Sequence, residues 1–268
     1  MNLSPINLKN NAQETDRFST STPPILSVAD LNVTFTEKTG ELRVLRGVNF
    51  NILEHEFVCL IGPSGSGKST LLRVLAGLLV PTHGHVKFLQ SNQPTIGYVF
   101  QDANLLPWRT VLKNITLPLE IQGFDPALAE EKAMALISLT NLQGFENTMP
   151  HDLSGGMAQR VAIARALIQQ PDILLMDEPF GSLDALTREK MSTELLNIWQ
   201  SQRITVLMVT HSISEAILLS DRVFVISPRP GRITLDLEID LPRPRNEDMR
   251  FTAPFGEMAH VLRAAIQV

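Results

Sequence analysis

Between Ile61 and Thr70 the chain reads IGPSGSGKST, a run of glycines, hydroxyls and one lysine set between two apolar stretches. Gly62, Gly67, Lys68 and Ser69 fit the spacing G-x-x-x-x-G-K-[ST]. Glycines let a backbone curl until successive N–H groups point at phosphate oxygens. A helix opening directly after such a loop adds the positive end of its dipole. Lys68 then offers a point charge to β- and γ-phosphates, and Ser69 a hydroxyl to Mg2+. The spacing predicts a nucleoside triphosphate cradled by Gly62, Pro63, Ser64, Gly65, Ser66, Gly67, Lys68, Ser69 and Thr70, with Mg2+ beside it. A plain glycine-rich turn is the alternative. The apolar run before the loop and the helical spacing after it argue against that.

A second stretch, ILLMDEP, places Asp177 and Glu178 where a short apolar strand ends. Open α/β sheets present their ligands at the carboxyl ends of strands. Asp177 is suited to the metal shell. Glu178, one residue on, is suited to polarise an attacking water. An isolated Asp-Glu pair at a strand end is more simply a solvated pair, but the upstream loop gives this one a partner.

These groups need a scaffold. The chain has 268 residues, 44% of them apolar, and a formal charge of −5. That is enough to bury a substantial core in one large α/β unit or a core with an added subdomain. The acidic balance gives no electrostatic reason to expect nucleic acid. Cys59 is the only cysteine, so no disulfide forms within the chain and a reducing cytosol is the simplest home. Its setting, FVCLIG, reads as a buried core position rather than a reactive thiol. No stretch approaches the ~18 consecutive apolar residues of a membrane span. Residues 1–24, rich in Asn, Ser, Thr and Pro, read as a flexible tail without a secretory signal.

From Ile25 onward the sequence alternates strand and helix signals. ILSVADLNVTF, RVLRGVNFNI, EFVCLIG, HGHVKFL and TIGYVF read as strands, and STLLRVLAGL as the helix after the loop. Residues 101–151 differ: DPALAEEKAMALISLT has Asp125 as N-cap, Pro126 at the first helical position and Ala133, Leu136 and Ile137 at helical spacing. We read a mostly helical insertion there. GMAQRVAIARALIQQP is a further helix with Met157, Val161, Ala164 and Ile168 on one face and Pro171 as its stop. DILLMDEP and ITVLMVTHS are unbroken apolar runs, as in a parallel sheet covered on both faces. RVFVISPRPG is expected to close the core, followed by a Pro/Arg-rich patch, LPRPRNED, and a short last helix.

The octet LSGGMAQR, Leu153 to Arg160, resembles the signature of the ATP-binding-cassette (ABC) ATPases. Ser154 is a natural N-cap, and Gly155 and Gly156 leave backbone N–H groups bare at a helix start, where an anion is favoured. A capped helix alone does not call for the double glycine. The resemblance implies that Ser154, Gly155 and Gly156 meet ATP bound by a second subunit, identical or not. It also implies that Gln101 in YVFQD contacts Mg2+ and the attacking water, and that Asp184 in GSLDA lies at the dimer seam. His211 in MVTHS then contacts the γ-phosphate, and Phe35 in NVTF stacks on adenine. Taken alone, His211 reads as a strand-end histidine and Phe35 equally as a core residue. Ala158, Ser212 and Asp102 depart from the usual pattern without removing a reacting group.

The implied architecture is a P-loop NTPase with a RecA-like parallel sheet core, an N-terminal antiparallel β subdomain and an inserted α-helical subdomain at about 101–158. The ATPase domain is expected over 25–231 and a short C-terminal extension over 232–268. NLLPWRTVLKNI, Asn104 to Ile115, and SPRPGRI…LPRPR are similar to the nitrate/sulfonate/taurine group of importers. That group implies an energising ATPase at the cytoplasmic face of the inner membrane. Its partners are an integral permease docking near Trp108 and an extracytoplasmic solute-binding protein. Bicarbonate and thiamine-precursor pyrimidines are alternative cargoes. A soluble ABC protein of DNA repair or translation would carry long coiled-coil insertions or two fused cassettes, and the chain has neither. The signature octet and Glu178 disfavour a P-loop kinase.

Overall fold

The computed structural model describes residues 24–37, 40–89 and 94–267. The tail expected over 1–24 lies outside the described residues except for Pro24, which already opens the first strand.

Two sheets form the frame. In the smaller one β2 (Gly40–Leu53), β1 (Pro24–Glu37) and β4 (His83–Phe88) lie side by side, both pairings antiparallel. The larger has six strands. They are β5 (Ile96–Val99), β6 (Ile173–Asp177), β7 (Thr205–Val209), β3 (Phe57–Ile61), β8 (Arg222–Ile226) and β9 (Ile233–Glu238), in that spatial order. The first five are parallel and β9 runs antiparallel against β8. The expectation that residues 222–231 close the core is therefore corrected by one strand. β9 alternates half-buried and exposed residues along ITLDLE, as an edge strand with one wet face does.

The unbroken apolar strands have a direct cause. Every residue of β3, β6, β7 and β8 is buried, and alternate side chains enter different cores. Cys59, Met176, Met208 and Val225 face a layer built by α4 (Gly155–Leu167), α5 (Ala185–Gln202), α6 (Ile213–Leu219) and α7 (Ala253–Ile266). Leu60, Leu175, Val209 and Phe224 face the small sheet and α1 (Lys68–Leu75).

The insertion is helical as expected. α2 (Val111–Ile121) and α3 (Pro126–Leu139) bury Val111, Ile115 and Leu119, and Ala129, Ala133 and Ile137, one residue per turn. Asp125 caps α3, accepting from the N–H groups of Ala127 and Leu128. The face of α4 carrying Val161, Ala164 and Ile168 closes this third core. Its opposite face, with Ala162, Ile163 and Ala166, belongs to the sheet. α4 is thus buried on two sides.

Candidate functional site

β6, β7 and β3 are neighbours in the sheet, so their carboxyl ends deliver three loops to one place. Gly62 follows β3, Asp177 ends β6 and Glu178 follows it, and His211 lies just past β7. The phosphate-loop glycines are required by space as well as by rotation. A Cβ on Gly62 would lie 2.5 Å from Ile226 O, and one on Gly67, which sits at φ +102°, would lie 2.7 Å from Leu45 Cδ2. Gly67 opens α1 and Lys68 is its first residue.

Lys68 is 6% exposed. Its Nζ donates to the carbonyls of Gly62 (3.0 Å) and Pro63 (3.1 Å) and stands 4.0 Å from Glu178 Oε1. Burial pushes its pKa down, while the nearby Glu178 and Asp177 carboxylates act the other way. Ser69 Oγ donates to Asp177 Oδ1 at 2.9 Å, and Tyr98 OH donates to Oδ2 at 3.5 Å. Asp177 is 8% exposed. Burial raises its pKa above the usual carboxylate range, with the Ser69 bond opposing and the Glu178 charge adding. Such a carboxylate gains from a cation beside it.

Glu178 has a positive φ of +47°, an uncommon backbone for a residue with a Cβ. Its N–H donates to Val209 O at 3.0 Å and its carbonyl accepts from Gly181 N–H, also at 3.0 Å, which hold the turn in place. The side chain meets His211 Nδ1 at 3.2 Å through Oε2. Ser212, one of the sequence departures, caps α6 by accepting from Glu215 N–H. Thr210 Oγ1 meanwhile donates to Glu215 Oε2 and accepts from Ser212 N–H. His211 is thus flanked by two residues tied into one buried network.

The other expected residues stand outside this bonded cluster. Gln101 follows β5 and is exposed. The segment around it is tied to α4: Arg165 donates to the carbonyls of Ala103 (2.7 Å) and Asn104 (2.9 Å), and Gln159 to that of Phe100 (3.4 Å). Ser154 caps α4, accepting from Met157 N–H, with Gly155 and Gly156 in the first turn. A Cβ on Gly156 would lie 2.8 Å from Thr187 Cγ2, so close packing against α5 also requires that glycine. Asp184 caps α5 through Thr187 N–H, and that bonding holds its carboxyl below the usual range. Phe35 projects from β1 at 38% exposure, too open for a core position. Trp108, at 71% exposure, rides on a loop fastened by the buried Asn114. That side chain accepts from Leu106 N–H and donates to the carbonyls of Leu106, Arg109 and Thr110. Tyr98, Gln159, Arg165 and Asn114 were not singled out from the sequence. All four lie inside stretches read for other residues, but each acts across the fold or within a loop, through a contact that local spacing does not mark.

The glycine-built loop, the buried lysine and the Ser69–Asp177 pair at the carboxyl end of a parallel sheet define a P-loop nucleoside triphosphatase. Comparison with known proteins narrows the class. The ABC transporter family profile matches residues 45–181. A nitrate import ATP-binding protein of Synechocystis sp. is 44% identical over 221 residues, covering 81% of this chain and 83% of the relative. A taurine import ATP-binding protein of Pelagibacter ubique is 46% identical over 210 residues, 76% of this chain and 79% of the relative. A solved dimeric ATP-binding cassette, described as a post-hydrolysis state bound to ADP and Pi, has a TM-score of 0.71 at 33% identity. It covers 81% of this chain and all of its own. The chain belongs to the ABC transporter ATP-binding family and is an ATPase. Among the described residues no helix is long and apolar enough to cross a membrane.

Proposed function

We propose that this chain is the ATP-hydrolysing subunit of an ABC importer. It energises uptake of a small anionic solute, nitrate or a sulfonate such as taurine, through a separate permease at the cytoplasmic face of the membrane. The observation that carries the catalytic part is the cluster in which Lys68, Glu178 and His211 adjoin the Ser69–Asp177 pair. The import part is supported by relatives named as nitrate and taurine import proteins, whose likeness spans most of the chain.

In this reading the loop Gly62–Thr70 wraps the phosphates of ATP and Lys68 holds the β- and γ-phosphates. Lys68 already has two carbonyl partners, so a phosphate competes for an ammonium that is held in place rather than free. Ser69 and Asp177 are hard oxygen donors 2.9 Å apart, the kind Mg2+ prefers. With Gln101 they would hold the ion, which supplies positive charge to the phosphates. Glu178 polarises the attacking water. His211 orients that carboxylate through the 3.2 Å contact and faces the γ-phosphate. Ser154, Gly155, Gly156 and Asp184 of a second ATP-binding subunit complete the site, Phe35 stacks on adenine, and the permease docks at Trp108. An extracytoplasmic solute-binding protein delivers the cargo.

Replacing Glu178 with Gln tests the catalytic assignment. A general base contributes ~10²–10⁴-fold, so kcat should fall at least ~100-fold while ATP still binds and a closed dimer accumulates. Wild-type turnover in that variant would remove Glu178 from its role. Uptake of labelled nitrate and taurine by vesicles carrying the co-purified permease separates the two cargoes, and uptake of neither would end both the nitrate and the taurine readings.

A further inference from the structure

The segment Ser227–Arg232, reading SPRPGR, joins β8 to β9 and packs against the phosphate loop. Arg229 Nε donates to the Gly65 carbonyl at 3.1 Å. Gly231 lies so close that a Cβ there would stand 2.2 Å from Ser66 O. The segment is itself fixed. Gly231 N–H donates to Val44 O (2.8 Å), Arg46 N–H donates to Gly231 O (3.0 Å) and Ser227 N–H donates to Arg232 O (2.9 Å). Arg232 N–H closes the same turn on Ser227 Oγ at 3.1 Å.

Gly65 sits at φ +76°, in the region only glycine enters without strain, and it has no Cβ to resist rotation. The peptide between Gly65 and Ser66 is therefore a soft point of the loop. A flip there would swing a carbonyl dipole across the surface that has to meet phosphate. On its inner side, Ser66 N–H closes a turn on Pro63 O at 3.3 Å, a long bond and a weak one. The stronger restraint is the guanidinium on the Gly65 carbonyl, because a charged donor makes the shorter and tighter hydrogen bonds. The next carbonyl, that of Ser66, is blocked by the Gly231 backbone. One segment thus holds two successive carbonyls of the loop.

We propose that Arg229 is a positioning residue for nucleotide phosphate: by holding the Gly65 carbonyl it keeps the loop in its binding shape, and it sets affinity for nucleoside di- and triphosphates alike without entering hydrolysis. This rests on the reading of Gly62–Thr70 as the phosphate cradle. Glu178 and His211 concern the γ-phosphate, whereas Arg229 acts on the loop that meets the phosphates ADP and ATP share. Its signature is an equal effect on both.

The experiment is titration of the full chain with MgADP and, in the E178Q background, with MgATP, alongside kcat, KM and thermal melts. Losing one exposed, charge-assisted bond should raise both dissociation constants and KM about fivefold in Arg229→Ala, with kcat within twofold and an unchanged melting point. Arg229→Lys, whose ammonium can donate to the same carbonyl, should return both constants to within twofold of the parent. Unaltered constants in Arg229→Ala would overturn the proposal, and so would a change confined to ATP. An affinity loss that tracks a lower melting point and is not repaired by lysine would make the segment scaffolding only, which also overturns it. A parent chain that binds neither nucleotide would instead refute the phosphate-cradle reading beneath, a result recognisable without any Arg229 variant.

Discussion

Asn114→Ala separates the loop that presents Trp108 from the catalytic machinery. The Asn114 side chain is fully buried. It accepts from Leu106 N–H at 2.8 Å and donates to the carbonyls of Leu106, Arg109 and Thr110 at 3.2, 2.9 and 3.0 Å. Two amide hydrogens serve three acceptors, so the set is worth about three bonds at ~0.5–1.5 kcal/mol each. Leu106, Arg109 and Thr110 are only half-buried, and water can replace part of what they lose. We therefore take the low end, about 1.5 kcal/mol, which multiplies local opening roughly tenfold. Hydrogen exchange read by mass spectrometry should show that acceleration in peptides spanning 104–112, where Arg109 N–H closes a turn on Leu106 O at 3.1 Å. Peptides from β3, β6 and β7 should exchange as before. Basal ATPase should stay within twofold while vesicle transport falls, because the loop proposed to dock the permease loses its order and the nucleotide site does not. Trp108→Ala is the comparator: transport should fall with exchange unchanged. The reasoning is refuted if exchange over 104–112 does not quicken in Asn114→Ala, or if ATPase falls in step with transport.

Two further outcomes follow from burial. Asp177→Asn keeps an acceptor for Ser69 but removes a charge whose pKa burial raises. An acid with a folded pKa above its unfolded value weakens the fold once pH exceeds both. The nucleotide-free variant should therefore melt higher than the parent at pH 7–8 while losing Mg2+-dependent ATP binding, and a lower melting point would refute the sign. Cys59 is completely buried and its thiol is pushed above its ordinary range by desolvation. An aromatic disulfide reagent should react with the native chain at least ~1,000-fold more slowly than with the chain in urea, and stoichiometric labelling within minutes would contradict the assigned burial.

What could be read in the sequence was what repeats locally. Four strands announce themselves because both faces of the large sheet are covered, leaving every position apolar. Asp125-Pro126 marks a helix start because cap and first-turn chemistry need only neighbouring residues. The face Met157, Val161, Ala164 and Ile168 was legible, yet half of what α4 does was not. A helix buried on two sides has no single stripe, and Ala162, Ile163 and Ala166 reach the sheet unannounced. β9 was missed although Ile233, Leu235 and Leu237 alternate with polar residues, because the preceding Pro-Arg-Pro-Gly reads as an ending. In the site, residue types and spacing named Lys68, Ser69, Asp177 and Glu178, while His211 came only from the family resemblance. That Ser69 and Asp177, 108 residues apart, share a hydrogen bond follows only from strand order. The hydrogen bonds of Tyr98, Arg165 and Arg229 are long-range, and no spacing encodes them.

The double burial of α4 bears on how a membrane partner could be felt at the nucleotide. Val161, Ala164 and Ile168 lock α4 to Ile115 and Leu119 of α2, whose first residues follow the Trp108 loop directly. Arg165 and Gln159, on the same helix, grip the segment containing Gln101. The N-terminus of α4 is Ser154, Gly155 and Gly156. The Trp108 loop, the Gln101 segment and the turn at Ser154–Gly156 are therefore three points on one close-packed body, and packed interiors transmit displacement instead of absorbing it. A push at Trp108 cannot be relaxed by bending α4 alone, since its other face is fixed among Ala162, Ile163 and Ala166 against the sheet. It has to be taken up where packing is thinner, in the exposed turn at Gln101 or in the exposed Ser154–Gly155 cap. Those are the two places where this chain would meet, respectively, its own ATP and that of a second subunit.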